Sequence, residues 1–301
     1  INRSMANWRL PNTVMMVQLD ADDTETINHL NNHAPHAWFV GPNNEPRVLL
    51  NVAPREDTIA AKWNRALTMP DADLYLVAAD DDPYITEGYD AKLVEAAKLF
   101  PDGIGMVYGR MANASFSGVV APTRGLTEKL GHIFPEYFPY WFVDHWTDDL
   151  ARLIGRIAFA DVQTDQSRVG KTQEMREPGW WATWFDAAYL MRRTIARKII
   201  DDPDFQDEPW RKDMLRGHHP LIEFRSRWIN ENVRANAKNL EAQSGLTTKD
   251  ERYQRLRQAA VDMIPKLLEG MDAPEAAAFR NALVPPTTIV SIPQAFAAQA
   301  A

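Results

Sequence analysis

The 301 residues contain no cysteine, so neither a disulfide framework nor a thiolate metal site can exist, and any bound metal has to use oxygen or imidazole ligands. That composition fits a cytoplasmic setting. No apolar run reaches the roughly 18 to 20 residues that a membrane-spanning helix requires, and the first residues lack the charged-then-apolar order of a signal peptide. A soluble form is expected. Net positive charge is missing as well. The balance is −8, with an isoelectric point near 5.4, which argues against nucleic acid as a partner, because a phosphate backbone would have to be neutralised over a long track. The phosphate loop G-x-x-x-x-G-K-[ST], the dinucleotide fingerprint G-x-G-x-x-G and the hydrolase elbow G-x-S-x-G do not occur, so P-loop, Rossmann and serine-hydrolase readings have no support. There is no internal repeat.

What is present is enough apolar material, 45% of residues with 25% charged, for one sizeable core and a smaller appended unit. Residues 1–10 read as the tail of a helix leading into a strand, and a further segment upstream is expected. Residues 14–19 form a short apolar run that ends in the acidic turn D-A-D-D-T-E-T, the pattern of a buried strand with carboxylates at its C-terminal end. Apolar stretches at 38–40 and 48–50 precede the helical pattern D-T-I-A-A-K-W-N-R-A-L-T-M. Residues 73–79 are nearly continuous in apolar character, as in a strand covered on both faces, and run into Asp80-Asp81-Asp82-Pro83. A helix over 87–100 and a strand over 104–109 follow, then an aromatic- and proline-rich stretch, a helix over 144–156 and a strand at 157–160. Strands alternating with helices predict a doubly wound, mostly parallel α/β sheet, whose ligands bind at the carboxyl edge of the strands. Past about residue 165 helical patterns dominate, at 180–200, 220–242 and 250–270. The expected division is an α/β domain over 1–165, a helical subdomain over 166–285 and a Pro/Ala-rich tail over 286–301.

Three adjacent carboxylates repel one another unless a cation joins them, and a hard, oxygen-ligated ion shared with phosphate oxygens is a recurrent solution for nucleotide substrates. Asp80-Asp81-Asp82 can equally be a solvated turn or a helix cap before Pro83. Asp144 and Asp148 stand four apart and share one helix face, where a neighbouring carboxylate or His145 could raise a pKa towards the working range of a general base. The structural alternative makes Asp144 a cap and Asp148 with Arg152 an exposed i,i+4 pair. Tyr137, Phe138, Tyr140, Trp141, Phe142 and Trp146 can be a stacking platform for a sugar ring or, for most of them, core; Trp180, Trp181 and Trp184 read as buried. Arg192, Arg193, Arg197 and Lys198 form a basic strip, more simply a solvated helix face than a diphosphate contact. His218-His219 before Pro220 reads as a loop feature.

The order of these features resembles the nucleotide-binding half of family 2-like GT-A glycosyltransferases. It runs from an acidic loop after a strand (Asp20, Asp22, Asp23), through a helix with Lys62 and Asn64 and a strand into Asp80-Asp81-Asp82, to G-Y-D-A-K-L. The resemblance continues in Gly118-Val119-Val120-Ala121-Pro122, in Leu126-Thr127-Glu128-Lys129-Leu130-Gly131, in Phe134-Pro135 and in V-D-H-W-T-D-D-L-A-R. It implies a GT-A-like fold with a C-terminal helical extension, and an inverting, metal-dependent transfer of a sugar from a UDP- or GDP-sugar to an unknown acceptor, with Mn²⁺ or Mg²⁺. By the same resemblance Asp20 or Asp22 matches the nucleoside-contacting acid, with Lys62 and Asn64 beside it. Asp80 with Asp81 or Asp82 matches the metal and diphosphate motif, and Asp144 matches the catalytic base, flanked by His145 and Asp148. Two departures stand out. The stretch F-A-D-V-Q-T-D-Q-S-R-V-G-K lacks the histidine that many such enzymes add as a metal ligand, a place Asp165 or Gln163 could take, and the first strand with its nucleotide loop is not visible. The competing readings are a nucleotidyltransferase on a similar sheet, whose Gly-rich loop ending in Lys is absent, and a non-catalytic module with an acidic binding site.

Overall fold

A computed structural model of the chain describes residues 2–33, 47–68, 72–79, 82–110, 119–136, 138, 140–165, 181, 184–185, 188–209 and 211, with scattered positions between 255 and 274. After the short helix α1 (Asn2–Met5), the apolar runs at 15–20 and 48–53 become β1 (Met15–Asp20) and β2 (Val48–Ala53), paired in parallel from Met15↔Val48 to Asp20↔Ala53. Between them lies α2 (Thr24–His33), started by Asp23, whose carboxylate accepts the Thr26 N–H at 3.1 Å. Helix α3 (Ile59–Asn64) follows β2, capped by the Thr58 hydroxyl, which accepts from Ala61 N at 3.0 Å, and ends in a 3₁₀ turn over Arg65–Thr68.

Helix α4 (Tyr89–Ala97) leads into β3 (Met106–Arg110), the middle strand of a second sheet with β4 (Val119–Pro122) antiparallel on one side and β5 (Ile157–Gln163) parallel on the other. Residues 74–77 add extended chain beside β4. Leu74 bridges Thr123 in antiparallel sense, and the N–H groups of Tyr75 and Val77 donate to Pro122 O (3.0 Å) and Val120 O (3.3 Å). This segment is half-buried rather than covered on both faces as its composition predicts. Its direction follows from the pairing: antiparallel to β4, hence parallel to β3 and β5. Ala79, Arg110 and Gln163 therefore end at the same carboxyl edge. At that edge β3 bulges between Tyr108 and Arg110, and only glycine fits at 109, where an added Cβ would stand 2.7 Å from Val162 O and 2.8 Å from Val119 Cβ.

The sheet is covered on both faces, as the alternation of its strands requires. Val107, Val119, Ala121, Ala158, Ala160 and Val162 point to one core with Tyr89, Leu93 and Phe100 of the α4 region, whereas Met106, Val120 and Ile157 point to the other. The second core holds α5 (Arg124–Leu130), α6 (Val143–Leu153) and α7 (Tyr189–Ile200). This is the mixed α/β, two-faced arrangement that the alternating pattern predicts. Several described residues beyond 165, among them Trp181, Trp184, Phe185 and Met191, are buried in that same core. Phe138 stands at its centre with ring centroids of Trp146, Trp181 and Trp184 at 5.7, 5.7 and 5.3 Å, so these aromatics are packing rather than an open sugar platform. No helix among the described residues is long and apolar enough to cross a membrane.

Candidate active site

Two residues past Asp82, Tyr84 is buried. That buried ring sends its hydroxyl back to Val77 O (2.7 Å), and its N–H donates to Ser4 Oγ (3.1 Å). Burial, with Tyr89 and Asp82 nearby, pushes the Tyr84 hydroxyl well above the usual phenol range, so it stays a donor. Asp80 and Asp81 lie outside the described residues. Asp82 is half-buried, and its Oδ1 is enclosed without a hydrogen-bond donor among the described residues. A buried carboxylate oxygen lacking a donor is a costly arrangement that a hard cation would relieve. The chain then crosses to the end of β5. Tyr84 bridges Thr164, Ile85 N donates to Gln163 O (3.1 Å), and Asp165 N donates to Pro83 O (2.9 Å). Gln163 and Asp165 are thus brought against the acidic turn, with the Asp165 carboxylate 2.7 Å from an Arg3 guanidinium nitrogen. No group of three or more His, Asp or Glu side chains among the described residues is placed to hold a metal.

At the end of β1, Asp20 is buried and paired with Lys62 Nζ at 2.6 Å, so two expected residues 42 positions apart come together. Arg55, just past β2, joins them. Its guanidinium lies 3.4 Å from Asp20 Oδ2 and clamps Asp22 with two bonds of 3.1 Å, which hold the Asp22 carboxyl below its ordinary value. Sequence reasoning passed over Arg55; the available signal was a cation directly after a strand whose parallel neighbour ends in acid. Asn64 does not join this cluster. Its Oδ1 accepts from Ile133 N (2.9 Å) and Phe134 N (3.0 Å), and its Nδ2 donates to Phe134 O (2.8 Å) and Glu136 Oε1 (3.0 Å). Ile133 O in turn accepts the Thr147 hydroxyl of α6 at 3.0 Å. One short helix, α3, therefore holds Asp20 through Lys62 and the loop beneath α6 through Asn64.

Only residues 154–156 separate α6 from β5, with Gly155 at φ 69° turning the chain, and the helix packs on that strand. Entry into α6 is strained: Phe142, the N-cap, has φ 73°, a left-handed conformation held by its buried ring stacked on Phe185 at 5.1 Å. Asp144, one turn in, keeps 36% of its side chain exposed, and its Oδ1 accepts both the His145 N–H (2.8 Å) and a hydrogen bond with His145 Nδ1 (2.7 Å). Burial acts to raise this carboxyl, but the adjacent imidazole and its hydrogen bonds outweigh it and leave the pKa below the ordinary value. The expected upward shift is thereby corrected: His145 is a partner of the carboxylate, not a competitor for its charge.

Asp148 faces inward and is clamped by Arg152 (2.8 and 3.2 Å), a buried pair where the pattern suggests an exposed one. The Arg152 guanidinium also lies over the Tyr108 ring at 5.3 Å. Asp149 is buried 3.4 Å from Arg192 Nε, and Arg192 is itself fully enclosed, stacked 3.9 Å over Phe185 and donating to Phe185 O at 2.6 Å. Arg192 is thus core, whereas Arg193, Arg197 and Lys198 of the same helix are at least partly exposed or exposed. Asp149 carries no sequence signal of its role, since its partner lies 43 residues on. His218 and His219, Tyr137 and Trp180 lie outside the described residues.

No protein-family model matches the chain, and no curated protein matches it. Among solved structures it is similar to the mannosyltransferase PcManGT from Pyrobaculum calidifontis, in complex with GDP-Man and Mn²⁺, at 15% identity and a TM-score of 0.42 over 96% of this chain and 82% of that one. A score at that level carries no argument, and the functional reading rests on the chain's own residues.

Proposed function

We propose that the chain is a glycosyltransferase of GT-A type that moves a sugar, with inversion, from a nucleoside-diphosphate donor to an acceptor hydroxyl. The observation that supports this best is a pair of unlike carboxylates, Asp82 with an Oδ1 enclosed and without a donor among the described residues, and Asp144, 36% exposed and anchored at Oδ1 by His145. The first suits a cation and a diphosphate, the second a proton. Asp82, with Asp80 and Asp81 of the same turn, would hold Mn²⁺ or Mg²⁺, which when bound offsets the charge developing on the departing diphosphate. Asp20 and Asp22, held by Lys62 and Arg55, would receive the nucleoside. Asp144 takes the acceptor's hydroxyl proton as that oxygen bonds to the anomeric carbon, and the pair from the breaking carbon–oxygen bond leaves on the diphosphate. A carboxylate with a depressed pKa is ionised at neutral pH, as a base must be.

The test is the melting temperature of the full chain with UDP or GDP, with and without Mn²⁺. Ligand at about a hundred times its dissociation constant should add about 2.7 kcal/mol of stability. The gain should need the metal and be lost in Asp82→Ala. No shift with either nucleotide would reject the reading.

A further inference from the structure

We propose that His145 is the positioning residue of Asp144: its backbone N–H and its Nδ1 together hold Oδ1, so that Oδ2 alone is presented to the proton of an acceptor hydroxyl. This rests on the glycosyltransferase reading of the same site. The geometry carries the step. Both contacts to Oδ1, at 2.8 and 2.7 Å, come from the next residue in the chain, and no hydrogen bond occupies Oδ2 among the described residues. The carboxylate is therefore fixed in rotation at one oxygen and open at the other. A carboxylate with no such anchor would spread its two oxygens over several rotamers, and a base misplaced by even an ångström loses much of its rate. The imidazole is itself fixed, 11% exposed, against the rings of Phe142 (5.7 Å) and Phe185 (6.3 Å).

The tautomer follows. A neutral imidazole can serve Oδ1 only with its proton on Nδ1, and that bond persists when Oδ2 receives the acceptor proton, because Oδ1 then accepts as a carbonyl. Among the described residues, Asp148 is paired with Arg152 on the same helix, and Arg192 of α7, against the Phe185 ring, with Asp149.

The experiment measures release of UDP from UDP-glucose and GDP from GDP-mannose by the full chain with Mn²⁺, water serving as acceptor, across pH 5 to 9. His145→Ala should lower kcat roughly 10- to 100-fold with donor KM unchanged, within the range for a general base and its positioning. His145→Asn places an amide N–H where Nδ1 stood and cannot titrate. It should recover most of kcat. An unaltered kcat in His145→Ala, or a kcat in His145→Asn no higher than in His145→Ala, overturns the proposal. A wild-type chain that releases neither nucleotide rejects the functional reading alone. The pairing is then read by NMR from the His145 Nδ1–H proton resonance, which should move in Asp144→Asn, and an unmoved resonance overturns it.

Discussion

Helix α6 carries three aspartates within six positions, and its two ends treat them in opposite ways. In the second turn, Asp148 and Asp149 are almost wholly enclosed, and each has an arginine that is equally enclosed, Arg152 on the same helix and Arg192 on α7. In the first turn, Asp144 is met by a histidine and by water. Removal of a carboxylate from solvent is expensive unless a cation comes with it, so the inner pair can only be structural; neither oxygen could leave its arginine to handle a substrate proton. The outer carboxylate has an anchor at one oxygen and freedom at the other. Residue type is the same in all three places, and what separates the proposed base from a brace is the partner and the depth.

That contrast can be broken at its inner end first. Asp149→Ala removes a buried carboxylate from beside the Arg192 guanidinium and should lower the unfolding free energy by up to about 3–5 kcal/mol in a denaturant titration. Replacing both members at once, Asp149→Leu with Arg192→Met, should restore most of that loss, because two well-packed apolar groups need no counter-ion. A single variant within 1 kcal/mol of wild type would show that water reaches the pair. The next effect is a pH effect on the loop beneath α6. His132 is largely enclosed, and burial lowers its pKa from 6.5 to about 4. The unfolded chain therefore binds the proton more readily than the folded one between those values, and stability is lost as pH falls from about 6.5 to about 4, by about 3 kcal/mol at most. His132→Gln should flatten that slope in melting curves recorded at pH 4 to 7, and an unchanged slope would place the sensitivity elsewhere.

The strands and helices of the α/β unit were legible in their apolar patterns: the runs at 14–19 and 104–109 become β1 and β3, and the helical pattern at 144–156 becomes α6. The run at 73–79 expected as a strand is extended chain, with Leu74 bridged to Thr123 just past β4. Partnership was not legible. Asp20 with Lys62 could be expected from a βαβ order, but Arg192 for Asp149 depends on how α7 lies across α6, and nothing in either segment encodes that. Asn64 illustrates the limit from the other side. A polar residue at the end of a helix near a candidate site reads as a ligand contact, and its amide instead closes four hydrogen bonds to the loop at 133–136. A single polar side chain has too little pattern to tell a ligand's donor from a loop's.

The smallest stability effect and the sharpest functional one are expected from the same substitution, Asp144→Asn. The substituted amide keeps an oxygen where Oδ1 stands, so the two contacts from His145 survive, and the side chain is partly exposed, so no buried charge is orphaned. Folding stability should stay within about 0.5 kcal/mol of wild type. An amide cannot accept the acceptor's proton, and nucleotide release from the sugar donor should fall by a factor on the order of 100 or more, while the Mn²⁺-dependent melting shift with the nucleotide remains. Loss of both stability and activity would make Asp144 a brace like its neighbours, and loss of neither would leave the first turn of α6 without a chemical role. Retained binding with lost turnover is the outcome that separates the outer carboxylate from the inner two.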